Sequence, residues 1–174
     1  MLYPDFEEFI ESLNAHGVRY LIVGGHAFAY HARPRATKDL DVLLERTPAN
    51  ARRALKALTA FLGGATLSFK LEDLLNPQLV LQLGVAPVRI DLLSDIPGCP
   101  SFEAAWKNRV TAKFGDATAY YLSYAHLMDA KKAAGRPQDL ADLAVLERKV
   151  RARVAIPKAV TKSVPRKKPR PDSK

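Results

Sequence analysis

The run Val18-Arg-Tyr-Leu-Ile-Val stops abruptly at Gly24-Gly25. Apolar, β-branched residues followed by paired glycines predict a buried strand entering a tight turn, because glycine adopts left-handed backbone conformations without steric cost. A second run, Asp39-Leu-Asp-Val-Leu-Leu, alternates acid and aliphatic before becoming wholly apolar. Alternate side chains of a strand share a face, so Asp39 and Asp41 project together while Leu40 and Val42 enter the core. A chain with these two segments must build a sheet that carries two carboxylates side by side.

The surrounding pattern is helical. Residues 4–16 place Phe6, Ile10 and Leu13 on one stripe, and Gly17 closes that helix. Residues 26–32 fit a short helix, and residues 33–38 form a loop into the second strand. Thr47-Pro48 opens a helix that Gly63-Gly64 stops. Residues 78–84 and 88–93 read as strands of a hairpin turning around Ala86-Pro87. A short helix over 101–107, a strand over 117–122 and helices over 123–134 and 136–154 complete the series, with Ser123 as an N-cap. This order predicts one α+β (mixed α/β) domain over residues 1–154, with a C-terminal helix pair and no internal repeat.

Charge is divided unevenly. The 174 residues hold 27 Lys and Arg against 18 Asp and Glu, a formal net charge of +9. From Arg148 onward there are 11 basic residues and one acid, Asp172, which leaves 16 basic and 17 acidic residues in a nearly neutral body. The last stretch also carries Pro157, Pro165, Pro169 and Pro171 without apolar periodicity, which predicts a disordered basic tail over residues 155–174. Such a tail attracts phosphate polymers irrespective of sequence, and it also serves as a plain solvated extension. No apolar run approaches the roughly 18 residues of a membrane span. The opening residues lack the basic and apolar regions of a secretion signal, so no membrane partner and a cytoplasmic location are expected. Cys99 stands alone, which excludes an internal disulfide and a cysteine-based zinc site.

Chemistry concentrates on three acids. Asp91 interrupts the apolar strand Arg89-Ile-Asp-Leu-Leu, where a carboxylate is costly unless it is paired or binds metal. Asp39, Asp41 and Asp91 converging from neighbouring strands would suit Mg²⁺, a hard cation that takes oxygen ligands and bridges phosphates. Two such ions serve in-line phosphoryl displacement. Backbone N–H groups at Gly24-Gly25 would receive phosphate oxygens. His26, beside them, is a candidate phosphate contact, whereas His31 reads as a helix-surface residue and His126 as packing or a solvated edge. Tyr120, Tyr121 and Tyr124 fit core packing better than base stacking. Arg52, Arg53 and Lys56 form a basic helix face suited to solvent or to an RNA backbone. Asp139 and Asp142 sit at the positive end of the last helix, where acids are favoured in any case.

Gly24-Gly25-His26-Ala27, followed by Arg35-Ala-Thr37-Lys-Asp39-Leu-Asp41, resembles the G-G-x-A and R-x-T-x-D-x-D signatures of the nucleotidyltransferase superfamily. The nearest branch is that of the AbiEii-type and MenT-type bacterial toxins and the DUF6036-type nucleotidyltransferases grouped with them. Asp91 matches the third carboxylate of that family. Lys131-Lys-Ala-Ala-Gly-Arg136-Pro-Gln-Asp139-Leu-Ala-Asp142 resembles the branch's later motif, which spans two helices. The likeness runs over about residues 18–146. It implies a polymerase-β-like core with its motifs in 18–94 and a helical part in 123–154. The implied reaction transfers a nucleoside monophosphate from an NTP and releases pyrophosphate.

Under this resemblance Gly24 and Gly25 hold the triphosphate, Asp39 and Asp41 bind both Mg²⁺ ions, and Asp91 holds the catalytic ion and assists the base. Lys131 neutralises phosphate charge, Arg35 and Thr37 brace the acidic loop or touch the nucleotide, and Asp139 is carried over as a motif residue. Many active relatives have Gly-Ser where this chain has Gly-Gly, so Gly25 offers only its backbone. Gln138 stands where the branch often has Lys. The expected acceptor is a macromolecule, tRNA before protein, and the expected biological setting is a toxin with a cognate antitoxin as partner. Transfer to a small hydroxyl compound such as an antibiotic, or a catalytically silent RNA- or partner-binding module, are the alternatives. Three retained carboxylates argue against silence, since they repel one another without a metal.

Overall fold

The computed structural model describes residues 3–85 and 88–154. The expected disordered tail over 155–174 and the turn at Ala86-Pro87 lie outside the described residues. The first helix, α1 (Pro4–Ala15), starts with proline in its first turn, where a missing N–H costs nothing, and buries Phe6, Phe9, Ile10 and Leu13 at helical spacing. Then come β1 (Tyr20–Ile22), α2 (Gly24–His31), β2 (Asp39–Leu44), α3 (Pro48–Phe61) and α4 (Leu71–Leu75). They are followed by β3 (Val80–Val85), β4 (Val88–Leu93), α5 (Phe102–Lys107), β5 (Val110–Phe114), β6 (Ala117–Tyr121), α6 (Tyr124–Ala134) and α7 (Pro137–Val154).

The six strands form one mixed sheet in the order β3-β4-β2-β1-β6-β5. β1 runs antiparallel to β2 and parallel to β6, while β4 lies parallel to β2 and antiparallel to β3. In the β2–β4 register Asp39 is beside Arg89 and Asp41 beside Asp91. The period of two therefore puts all four side chains on one face. Leu40, Val42, Ile90 and Leu92 are buried from the other face. Helix α1 pairs with α3, and α6 pairs with α7 and meets α2, which lies against β2. No helix among the described residues is long and apolar enough to cross a membrane.

Two elements depart from the sequence reading. Helix α4 is held at its start by Asp73, whose carboxylate accepts from the Lys70 N–H at 2.7 Å. Strand β5 forms a hairpin with β6 around Gly115-Asp116, with Gly115 at φ 64°. Glu7 of α1 secures that turn by accepting from the Asp116 N–H at 2.5 Å. The tyrosines pack as expected: Tyr20 and Tyr120 are 5.5 Å apart, and Tyr121 stacks on Tyr30 at 4.6 Å. His31 differs from its surface reading, because its Nε2 meets the Leu122 carbonyl at 2.7 Å and ties α2 to the segment after β6.

Asn50 is the polar node of the core. Fully buried, it donates through Nδ2 to the carbonyls of Arg19 (2.9 Å) and Glu45 (3.1 Å) and accepts the Arg19 N–H at 2.8 Å. It thereby joins α3 to the ends of β1 and β2. Asn50→Ala would leave these backbone groups unpaired, so it should cost about 2–3 kcal/mol. Urea unfolding should show a lower midpoint with an unchanged slope; an unaltered midpoint would remove Asn50 from this role.

Candidate functional site

The site starts with a steric fact at Gly24. A Cβ placed there would lie 2.0 Å from Asp41 Oδ2, and the residue has φ 57°. Only glycine fits both demands. The expected turn at the glycines is the first turn of α2 itself, and Asp41 caps it by accepting the Gly25 N–H. Burial is the main cause raising the Asp41 carboxyl above its usual range; the Gly25 bond opposes it, Asp91 and Asp39 add to it, and Arg136 opposes it.

Gly25 faces the other half of the motif. A Cβ there would lie 2.7 Å from Thr37 Oγ1 and 3.3 Å from Arg35 Nη2. Thr37 in turn donates to the Asp39 carbonyl at 3.2 Å. The glycines and the loop before β2 thus interlock through the missing side chains.

Opposite the acidic face of the sheet stand α6 and the start of α7. Lys131, buried, is held by Asp139 Oδ1 at 3.1 Å and Asp142 Oδ2 at 2.7 Å. Asp142 also accepts from Arg35 and, at 2.9 Å, from Gln138 Nε2. Burial works against the Asp142 charge, but the bonds from Lys131, Gln138 and Arg35 outweigh it and hold the carboxyl below its ordinary range. The buried ring of Phe28 lies beneath Arg35 at 4.8 Å and Lys131 at 5.8 Å, a cation–π shelf for both. Arg136 Nε bonds Asp139 Oδ2 at 3.0 Å.

These groups line a cleft of about 440 Å³. It gathers Gly24, Gly25, Arg35, Thr37, Asp39, Asp41, Asp91, Lys131 and Asp139, nine of the ten residues expected from the sequence. His26 is the correction. Its ring does not line the cleft and packs instead between Phe6 at 5.7 Å and Phe114 at 5.3 Å, because one helix position past Gly25 turns the side chain toward α1. Lys131 reaches the cleft, but two carboxylates already engage its ammonium. The sequence reading passed over Arg89, whose guanidinium bridges Asp39 Oδ2 at 2.9 Å and Asp91 Oδ1 at 3.1 Å. Its position two residues before Asp91 on one strand was the available signal.

Among the described residues, no group of three or more His, Cys, Asp or Glu side chains is arranged to hold a metal ion. Arg89 stands between two of the candidate ligands. The donor chemistry nevertheless suits a hard divalent cation: the acids are all oxygen donors, and buried Asp91 Oδ1 touches Arg89 but accepts no hydrogen bond.

No known family model and no curated protein matches the chain. Among solved structures it is similar to a candidate nucleotidyltransferase of Thermotoga maritima, with a TM-score of 0.58 and 13% identity over 86% of this chain and 96% of that one. It is also similar to the antibiotic-resistance factor ANT(2'')-Ia, with a TM-score of 0.47 and 15% identity over 87% and 92%. The mixed six-strand sheet flanked by helices is thus the fold of the first of these proteins.

Two outcomes follow for these residues. Gly24→Ala should destabilise the protein by at least about 1–3 kcal/mol, since it combines strain at positive φ with a collision at Asp41; thermal melts read this directly. Burial lowers the His26 pKa to about 4 from 6.5. The unfolded chain therefore binds a proton between these values that the folded chain refuses, and stability falls as pH drops through that window, by at most about 3 kcal/mol. His26→Phe should flatten that part of the stability–pH curve.

Proposed function

We propose that this chain is a divalent-cation-dependent nucleotidyltransferase that moves a nucleoside monophosphate from an NTP to an acceptor hydroxyl and releases pyrophosphate. The observation that carries the reading is the convergence in one cleft of Asp39, Asp41 and Asp91 with the glycine-started N-terminus of α2. Acids alone repel a triphosphate; acids beside a helix N-terminus and four basic side chains make sense around a metal-complexed one.

In this reading Asp39 and Asp41 would hold both Mg²⁺ ions, and Asp91 would join them at the catalytic one. Bound there, the ions would supply Lewis acidity for the phosphoryl displacement. The chain's own groups do the rest. The first turn of α2 offers phosphate oxygens the backbone N–H groups that Asp41 does not take, and the missing side chains of Gly24 and Gly25 let Asp41 and Thr37 close on that turn. Arg35 and Thr37 brace the acidic strand against that turn. Asp91 takes the acceptor's proton as the acceptor oxygen bonds to the α-phosphorus, and the bond from that phosphorus to the bridging oxygen breaks, with the electron pair leaving on pyrophosphate. Lys131 supplies positive charge, moderated by Asp139 and Asp142, which fix its position.

The acceptor we assign is an RNA hydroxyl, tRNA first. Its support is the concentration of 11 basic residues after position 147, which would give salt-dependent attraction to a phosphate polymer. The setting we assign, a toxin restrained by a cognate antitoxin, rests on the sequence resemblance alone.

The test is incubation of the purified full chain with each α-³²P-labelled NTP, Mg²⁺ and total bacterial RNA. One NTP should label tRNA, and Asp39→Ala/Asp41→Ala should reduce labelling at least about a hundredfold, the loss expected when several kcal/mol of transition-state stabilisation disappear. Label in protein or in a small hydroxyl compound would reassign the acceptor, and no label in any acceptor would refute the enzyme reading.

A further inference from the structure

Arg89 is the basic residue most intimately placed among the three acids, and its contacts all lie on the sheet. Nη2 donates to Asp39 Oδ2 at 2.9 Å and to Asp91 Oδ2 at 3.3 Å, and Nε lies 3.1 Å from Asp91 Oδ1. One guanidinium thus holds carboxylates from two strands, and its single charge leaves the group of three acids with a net charge of about −2 when all are ionised. The Arg89 side chain is 35% exposed, whereas that of Asp91 is 12% exposed. The arginine therefore lies on the open side of Asp91, level with Asp39, whose side chain is 36% exposed. On the neighbouring strand the residue in register with Arg89 is Gly84, so β3 raises no side chain beside it. The lysine and the other arginine that pair with buried acids, Lys131 and Arg35, sit over Phe28 and share Asp142. Arg89 has no such second anchor among its described contacts.

We infer that Arg89 is a partner-exchange residue. It neutralises Asp39 and Asp91 until a divalent cation takes them, and it then turns its guanidinium to the polyphosphate that arrives with the cation. This rests on the reading of the cleft as a metal–nucleotide site and adds to it a residue that links the two ligands. A bare cation must displace Arg89 without compensating it. A cation carrying polyphosphate brings the displaced guanidinium a bidentate partner. The two ligands are therefore coupled through Arg89, and the coupling is reciprocal.

A residue that only props up the acids would weaken every ligand when removed. An exchange residue gives opposite signs. We would titrate the full chain with Mn²⁺ alone and with preformed Mn²⁺–tripolyphosphate, a probe that requires no knowledge of the base, in wild type, Arg89→Met and Arg89→Lys. Arg89→Met should bind Mn²⁺ roughly tenfold more tightly, because a competing cation is gone, and Mn²⁺–tripolyphosphate roughly tenfold less tightly. Arg89→Lys, with one compact charge and no fork, should fall between. The melting temperature of Arg89→Met without metal should drop, since the acids repel, and Mn²⁺ should restore it.

Weaker or equal Mn²⁺ binding by Arg89→Met overturns the exchange role. So does undiminished binding of Mn²⁺–tripolyphosphate. If Arg89→Met does not fold, the same comparison on Arg89→Lys decides: Mn²⁺ binding no tighter than wild type rejects the inference. Absence of Mn²⁺ binding by wild type removes the metal-site reading and this inference together, whereas normal binding without a crossover removes this inference alone.

Discussion

The approach of Asp41 to Gly24 sets the rest of the site. A carboxylate can cap the first turn of α2 from the adjacent strand only if no Cβ stands between them. Once that contact forms, the end of β1, the start of α2 and the middle of β2 have fixed relative positions. Asp39 then follows two residues earlier on the same face, and the β2–β4 register delivers Asp91 beside Asp41. The helix N-terminus favours the negative charge that burial opposes, so one interaction both locates the acid and moderates its cost.

Charge in the cleft is organised as two groups. The sheet contributes Asp39, Asp41 and Asp91 with Arg89; the helices contribute Asp139 and Asp142 with Lys131 and Arg136, and Arg35 reaches across from the loop. The helical group is the deeper. Asp142 meets Arg35, Gln138 and Lys131, and Phe28 supports two of the cations. Each group keeps one buried oxygen that meets a cation but accepts no hydrogen bond, Asp142 Oδ2 and Asp91 Oδ1, and the sheet group is closed by one partly exposed arginine. Buried charge pairs contribute little net stability compared with apolar packing, and their value here is in position.

Legibility in the sequence followed locality. Gly24-Gly25 and Asp39-x-Asp41 were readable because strand period and glycine geometry act over a few residues. The hairpin of β5 and β6 was half missed: Val110–Phe114 alternates apolar and polar residues over only one short stretch, and its place at the sheet edge depends on pairing with β6 and on Glu7 from α1. His26 was misplaced because adjacency to Gly25 in the chain is not adjacency on a helix surface, where one step rotates the side chain by about 100°. The bridge from Arg89 to Asp39 and the central role of Asp142 depend on register and on a contact between helix and loop, which no local pattern encodes, whereas the spacing of Arg89 from Asp91 was open to reading. The sheet with flanking helices, by contrast, was evident in the alternation of periods, and it matches the solved fold.

The Arg35–Asp142 pair joins residues 107 positions apart. The glycine turn and the first two acids are synthesised early, yet the wall that closes the cleft over them belongs to the last helix. During translation a nascent chain carries Asp39 and Asp41 long before Asp142 leaves the ribosome. The order of synthesis therefore postpones completion of the cleft until nearly the whole fold has emerged. Truncated products keep the acidic strand but lack the surface that would make it a cleft.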